Sequence, residues 1–526
     1  MGKMNKLLLA LVALTALNAS AQEMDKETKE ILNWYNGTKY GMHTDKAYKK
    51  LLKDKKAEKV VVAVIDSGVD IEHEDLQGSI WVNEDEIPGN GIDDDKNGYI
   101  DDVHGWSFLG NPDGENIEHE NLEMTRLYGR YTKQFEGKSE ADIKEEEKAD
   151  WALYQEVKGN VEKSREQAEK TVPMVNMMLE KAKEAEANLA KELGEGFSMK
   201  DFAKFAKKNP DNTDAQTLQQ IYGQGLTVAR LEQYGPYFQG QLDYHYNPDL
   251  NSRAITGDDP SDFSDVNYGS NDVEGPDALH GTHCAGIICA TRGNDLGNEG
   301  VADNVKIMSL RAVPDGDERD KDIALAIRYA VDNGAQICSM SFGKGYSPYK
   351  EEVIKAIRYA EEKGVLLVHA AGNSGMDIGE NSNYPSPMYP SMSKEFSNWI
   401  EVGASTRYKK NLAASFSNYS EKHVDIYAPG LEIYSTVPQS EYYTTQGTSM
   451  ACPMVSGLAA LLKGYFPELT MLEVRDIILK SGQDVSEVQT PLPGDKSKSV
   501  PFKALCESAA IANTYNAVEM AMEYKK

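Results

Sequence analysis

"KVVVAVID", residues 59–66, is the stretch on which the fold turns. From Val60 to Ile65 every residue is apolar, most are β-branched, and the run ends on Asp66. A strand with one wet face alternates apolar and polar residues, whereas a strand that is apolar at every position must be covered on both faces. The same character recurs in "VKIMSLRAV" (305–313), "AQICSMSFG" (335–343), "VLLVHAAGNSG" (365–375) and "WIEVGAST" (399–406). Helical patterns lie between these runs, as in 322–333 and 351–363. Buried strands alternating with helices predict an α/β fold, a parallel sheet flanked by helices on both faces. In such sheets functional side chains gather at the carboxyl ends of the strands. Asp66 and Asn373 fall at such ends.

One block breaks the alternation. Between residues 110 and 265 there is no strand run. Trp151, Tyr154, Val157 and Val161 follow helical spacing, as do Val175, Met178, Ala182, Ala185 and Leu189, with Thr171 and Pro173 read as start signals for the second set. Ser198 with Asp201 has the spacing of an N-terminal cap. The block is rich in Glu and Lys, and we expect a helical insertion over 110–265 within a domain made of 22–109 and 266–526.

The chain opens with "MGKMNKLLLALVALTALNASAQ", two lysines before an apolar stretch and an Ala-Ser-Ala site. This is the pattern of a signal peptide over residues 1–21, so the protein is expected to be exported, to periplasm or medium. The apolar stretch is shorter than the roughly 20 residues a membrane span needs. The formal charge of −28 and the lack of a basic stripe argue against nucleic acid and against anionic membrane. Five cysteines, an odd number, are too few for a disulfide scaffold and are expected to be small buried side chains. The oligomeric state is left open.

Four short stretches carry chemistry. "VVAVIDSGVD" places Asp66 at a strand end, "HGTHCAGII" opens a helix on His280, "HAAGNSG" sets Asn373 between glycines, and "GTSMACPMVSG" (447–457) puts Ser449 at a helix start. Acyl transfer by a serine needs a base for its proton, a carboxylate to hold that base, and donors for the oxyanion. These stretches supply one of each. They resemble the signatures of the subtilisin-like serine proteases (subtilases), over 60–108 and from 269 to about 481. The resemblance implies that Asp66 orients His280, that His280 is general base and then acid, and that Ser449 is the nucleophile. It implies that the Asn373 amide and the Ser449 backbone N–H bind the oxyanion. It further implies that Ser341, Phe342 and Gly343 pair with a peptide substrate as an added strand, and that Ala370, Ala371 and Gly372 wall the primary pocket.

Each has a competitor. His283, His73, Ser374 and Asp70 are read as structural, and Cys284 and Cys452 as buried thiols rather than nucleophiles. "GIDDDKNGYIDD" (91–102) is a separate signal, in which Asp93, Asp95, Asn97, the Tyr99 carbonyl and Asp101 have the spacing of a calcium loop. His104 stands where an EF-hand needs its bidentate glutamate, so this is not an EF-hand, and Asp102 is the substitute oxygen. A structural Ca²⁺ is expected.

Two departures from the family pattern stand out. The stretch from Asp66 to His280 is far longer than in compact members, and the insertion accounts for the excess. The segment between residue 21 and the first strand, including "HTDKAYKKLL", leaves no room for the usual inhibitory prodomain. The insertion leaves after "GWSFLG" and returns before "HGTHCAG", so it begins and ends on the side of His280; a lid or shoulder over the cleft is expected. The expected function is an exported serine endopeptidase acting on proteins or peptides. The alternative is a proteolytically silent scaffold that binds partners through its insertion.

Overall fold

The computed structural model describes residues 26–389 and 392–524; the leader, residues 1–21, lies outside them. Strands β1 (Val60–Asp66), β2 (Gly105–Ser107), β3 (Val305–Arg311), β4 (Ile337–Met340), β5 (Leu366–Ala370), β6 (Trp399–Ser405) and β7 (Ile426–Pro429) pair in parallel in the order β2-β3-β1-β4-β5-β6-β7. Ala510–Ile511 extends the β7 edge in parallel, and Gln483–Asp484 closes it antiparallel. The chain thus has the α/β fold, a mainly parallel sheet, that the sequence predicts.

β1 shows why its sequence is apolar throughout. Val62 and Val64 point into a core shared with helices Leu279–Cys289 and Thr448–Tyr465, while Ala63 and Ile65 point into a second core with helices Asp320–Asp332 and Lys350–Lys363. Alternate residues thus serve opposite faces, and neither face can be polar. Short strands escaped the sequence reading: β2, β7 and the hairpin Ile433–Val437 with Glu441–Thr445 are too brief for periodicity to register. Two long runs were also overextended. β4 stops at Met340 and β5 at Ala370, so Ser341–Gly343 and Ala371–Asn373 continue past the sheet.

The described chain divides into two compact units, one running to Glu118 and resuming at Asn251, the other spanning His119–Leu250. The second unit is narrower than 110–265 for a physical reason. Gly110 bridges Asn116, and Arg253 donates to Asp322 at 2.5 Å beside the buried pair Lys321–Asp258 at 2.8 Å. These buried ion pairs tie the flank after 250 to the sheet-bearing unit, and Arg311 at the end of β3 ties the flank before 119 by donating to the Ile117 carbonyl at 2.6 Å. Within the second unit, Tyr154, Val157 and Val161 are buried, and Val175, Ala182, Ala185 and Leu189 pack against Phe202, Leu218 and Leu231. Ser198 caps helix Met199–Lys208 through the Asp201 N–H. The start expected at Thr171–Pro173 is absent, because Lys148–Leu193 is one helix of 46 residues that runs through Pro173. Thr171 Oγ1 donates back to the Gln167 carbonyl at 2.8 Å, and Val172 and Val175 stay buried on the packed face, which outweighs the local signal.

Candidate active site

The strand order reverses between β1 and β4, and there the carboxyl ends diverge to leave a crevice. Asp66 ends β1 and is buried. His280 is the second residue of helix Leu279–Cys289, and its Nδ1 lies 2.7 Å from Asp66 Oδ1. Gly281 makes this approach possible: a Cβ there would stand 2.1 Å from the Gly68 carbonyl and 3.1 Å from Asp66 Cβ. Asp66 also accepts from the Ser67 N–H at 2.8 Å. With the Nδ1 proton committed to a carboxylate, Nε2 is left as the basic edge of the ring. Burial pulls the imidazole toward its neutral form, but the charge and hydrogen bond of Asp66 outweigh it and hold the pKa above the ordinary 6.5.

Ser449 is the second residue of helix Thr448–Tyr465, where the helix dipole favours negative charge. Pro453 explains itself in this setting. It has no N–H to offer the Ser449 carbonyl four residues back, so that oxygen accepts instead from Ser341 Oγ at 2.9 Å and from Cys284 Sγ at 3.4 Å. The helix start is thereby fastened to the segment after β4 and to the His280 helix. The Ser449 hydroxyl donates to the Ser341 carbonyl at 3.1 Å. In this arrangement the hydroxyl is turned to the Ser341 backbone.

Asn373 follows β5. Its Oδ1 accepts from the Thr448 N–H at 2.9 Å and from Thr448 Oγ1 at 3.1 Å, and Thr448 Oγ1 in turn accepts from the Gly372 N–H at 3.0 Å. Anchoring Oδ1 leaves Nδ2 as the donor. A Cβ at Gly447, whose φ is 155°, would lie 3.5 Å from Asn373 Nδ2 and 3.5 Å from Ser449 N, so the two donors border one space. Asn418 fixes the turn beneath them by accepting from the N–H groups of Ser374 and Met376 and donating to the Ala371 carbonyl at 2.8 Å.

The competitors resolve structurally. His283 is buried with Nε2 3.1 Å from the Tyr443 carbonyl, and burial holds its pKa near 4, so it stays neutral. His73 Nδ1 caps Asp75 N–H, and Asp70 accepts from the N–H groups of Glu72 and Gln439. Burial pushes the Cys284 thiol well above its usual range and Cys452 to about 11, which leaves both protonated and poorly nucleophilic. All five cysteines are free and buried.

A groove of about 320 Å³ runs from Asp66 and His280 along Ser341, Phe342 and Gly343 to the 313–318 loop. Ala370 and Ala371 are buried and, with Gly372, are not among the residues lining this groove. Asn383, which no pattern in the sequence singles out, places its side chain between Ala371 and Gly343. Its Nδ2 donates to the Ala371 carbonyl at 3.2 Å, and its Oδ1 lies 2.8 Å from where a Gly343 Cβ would be. Thr448, Asn418 and Asn383 were invisible beforehand because their roles are bonds to segments distant in sequence.

In the acidic loop, Asp93 accepts from the N–H groups of Asn97 and Gly98 at 3.1 and 2.9 Å, and Asn97 Nδ2 donates to Asp95 and Asp102 at 3.0 and 2.9 Å. Carboxylate oxygens of Glu86, Asp95 and Asp102 lie within 4.8 Å of one another. Glu86, outside the twelve-residue frame, was not expected. Asp101 does not join this group: its carboxylate is taken by the N–H groups of Asn90 and Gly91 at 3.1 and 2.8 Å, with φ 53° turning it away. Tyr99 packs its ring on Trp106 and Tyr329. Glu86 and Asp102 are buried, and burial raises both pKa values. A hard cation fits such a set, because it removes the cost of holding buried carboxylates together.

The α/β sheet thus carries a buried Asp66 paired with His280 after β1, and a helix-start serine bonded to the segment after β4. The Subtilase family model matches residues 57–493, and the chain belongs to that family. It is 38% identical to the thermophilic serine proteinase of Bacillus sp. (strain AK1) over 250 residues, which is 47% of this chain and 56% of that one. Thermitase of Thermoactinomyces vulgaris is 38% identical over 217 residues, 41% of this chain and 70% of that protein. Subtilisin BL of Lederbergia lenta is 34% identical over 258 residues, 49% of this chain and 82% of that one. Among the described residues, no helix is long and apolar enough to cross a membrane.

Proposed function

We propose that this protein is an exported serine endopeptidase whose nucleophile is Ser449, with His280 as base, Asp66 as its orienting carboxylate, and Asn373 Nδ2 with the Ser449 N–H as oxyanion donors. The observation that carries the reading is the 2.7 Å Asp66–His280 pair in a groove also lined by Ser341, whose carbonyl accepts from the hydroxyl of the helix-start Ser449 at 3.1 Å. In the reaction, His280 Nε2 takes the Ser449 proton as Oγ attacks the scissile carbonyl. The oxyanion forms against Asn373 and the Ser449 N–H, and the His280 proton passes to the leaving amine. Water then repeats the sequence to release the acyl group. Peptide backbone lies along Ser341–Gly343, with the side chain before the cut facing Ala370–Gly372. Labelling of the intact protein by a fluorophosphonate, mapped by mass spectrometry, tests the assignment; a label on any other residue overturns it.

The raised pKa of His280 sets a pH dependence. The imidazole must be neutral to act as base, so kcat/KM rises with pH through a value above 6.5 and flattens beyond it. A pH–rate profile on an uncharged peptide checks this, and an acid limb centred below 6.5 contradicts it.

Calcium is assigned to the Glu86–Asp95–Asp102 oxygens, with the Asn97 side chain beside them. An ion that binds only the folded state stabilises it by about 2.7 kcal/mol at a hundredfold excess over its Kd. The expected result is a higher Tm in millimolar Ca²⁺ than in EDTA, with most of that difference lost in Asp95→Asn. Superimposable melting curves for the wild type would refute the site.

A further inference from the structure

Near the end of the chain, Gln489–Leu492 and Asp495–Pro501 pair as an antiparallel hairpin. Its connecting residues are Pro493 and Gly494, the sequence of a type II turn, and Gly494 has φ 76°. Hairpin tips ordinarily stand in water. Here residues 496–499 are exposed but Pro493 is buried, so the tip is set down on a surface. That surface is Gly375, two residues after Asn373 and itself at φ 64°. A Cβ on Gly494 would stand 2.3 Å from the Gly375 carbonyl oxygen, and a Cβ on Gly375 would stand 2.7 Å from Gly494 N. Backbone meets backbone, and neither position has room for a side chain. Hydrogen bonds complete the frame. The Gly494 N–H donates to the Ser415 carbonyl at 2.9 Å, the Gly375 N–H to the Phe416 carbonyl at 2.8 Å, and the Asn418 N–H to the Gly372 carbonyl at 2.8 Å. The segment 415–418 therefore carries both the turn that holds Asn373 and the hairpin tip. The root of the hairpin is anchored as well. Val488, Leu492 and Val500 pack on the cluster that contains Ala371, Leu412 and Phe502, and buried Thr490 accepts from the Ala413 N–H at 3.3 Å. With its base fixed, the tip is not free to drift from Gly375.

We infer that the tip of this hairpin, Pro493 and Gly494, positions the backbone of the Asn373 turn and so sets the aim of the oxyanion donor. The inference rests on the assignment of Asn373 above, since the contact matters to turnover only if Asn373 Nδ2 meets the oxyanion. Asn373 is exposed, so little packing around its own side chain locates it. Thr448 holds the amide at Oδ1, and the hairpin holds the main chain two residues further on. Pro493 and Gly494 do not line the groove beside His280, which makes them positioning residues and not substrate contacts.

The test is a double-mutant cycle on the full chain, read as kcat and KM on an uncharged peptide, with a thermal melt of every variant. Gly494→Ala puts a methyl group into the Gly375 carbonyl and should lower kcat by about ten- to a hundredfold, the cost of a small misplacement at a reacting centre, while KM holds. Pro493→Ala loosens the tip without adding bulk and should give a smaller loss of the same kind. Lys496→Ala, on the exposed part of the hairpin, should leave both constants unchanged. The decisive measurement is made in the Asn373→Ala background. With no side-chain donor left to misplace, adding Gly494→Ala or Pro493→Ala should cost less than about twofold more. An unchanged kcat in the folded tip variants overturns the inference. So does a loss confined to KM, or a loss that persists at full size in Asn373→Ala, since the tip would then act on something other than the donor. If Gly494→Ala unfolds, Pro493→Ala decides by the same criteria. No hydrolysis by the wild type overturns the peptidase reading itself, and a wild-type kcat in Asn373→Ala alone overturns only the assignment of the donor.

Discussion

Ser449→Ala is expected to abolish peptide hydrolysis and fluorophosphonate labelling and to leave a folded protein. The loss in kcat should be about 10⁶-fold, the size found when the nucleophile of subtilisin is removed. The argument for an intact fold is local. Ser449 Oγ donates to the Ser341 carbonyl at 3.1 Å, whereas the contacts that fasten the helix start run through the Ser449 carbonyl and the Thr448 side chain, both kept in the variant. Stability should therefore fall by no more than the roughly 1 kcal/mol of one hydrogen bond at a solvent-facing position. The measurements are a progress curve on casein and a thermal melt of the same sample. Residual hydrolysis at a wild-type rate would move the nucleophile elsewhere, and an unfolded variant would show that the serine is structural. Ser449→Cys serves as the second variant: it preserves a nucleophile at the same atom, and faint labelling there with none in the alanine variant ties reactivity to this position.

How much of this was legible in the sequence depended on the range of the interaction. β1 was legible because burial on both faces writes itself into every residue of the strand, and the Asp66, His280, Asn373 and Ser449 segments were legible because each sits in a run whose turn glycines and apolar residues are contiguous. The helical content of the second unit was legible for the same reason, through the buried stripe from Val175 to Leu189. What failed was where two local signals disagreed with packing. Thr171 and Pro173 carry the marks of a helix start, yet the helix continues because its apolar face is buried on both sides of them. Asp101 fits a loop position by count, yet a left-handed backbone turns it toward Asn90 and Gly91, and Glu86 from outside the frame stands with Asp95 instead. The role of Thr448 could not be read at all, since its partners Gly372 and Asn373 are some seventy-five residues away.

Asn373→Ala should lower kcat by about 10²–10³ with little change in KM. That magnitude, about 3–4 kcal/mol of transition-state stabilisation, is the one known for losing a side-chain oxyanion donor in subtilisin, and its transfer to Asn373 rests on the geometry found here. The ground-state carbonyl carries little charge and gains little from Nδ2, whereas the tetrahedral oxyanion meets a donor already fixed in place, so the loss appears in turnover rather than in binding. What fixes the donor is Thr448, which occupies Asn373 Oδ1 twice over. Two further variants separate donor from shape. Asn373→Asp keeps the bonds to Thr448 but replaces the donor with an oxygen that repels the oxyanion, so it should lose at least as much as the alanine variant. Thr448→Val keeps the Thr448 N–H bond to Asn373 and removes the hydroxyl, leaving the Gly372 N–H without its acceptor. With the amide less firmly held, kcat should fall by about tenfold, KM should hold, and Thr448→Ser should restore most of the rate. An unchanged kcat in Asn373→Ala would place the oxyanion donor elsewhere. A Thr448→Val loss confined to KM would make Thr448 a substrate contact and not a positioning residue.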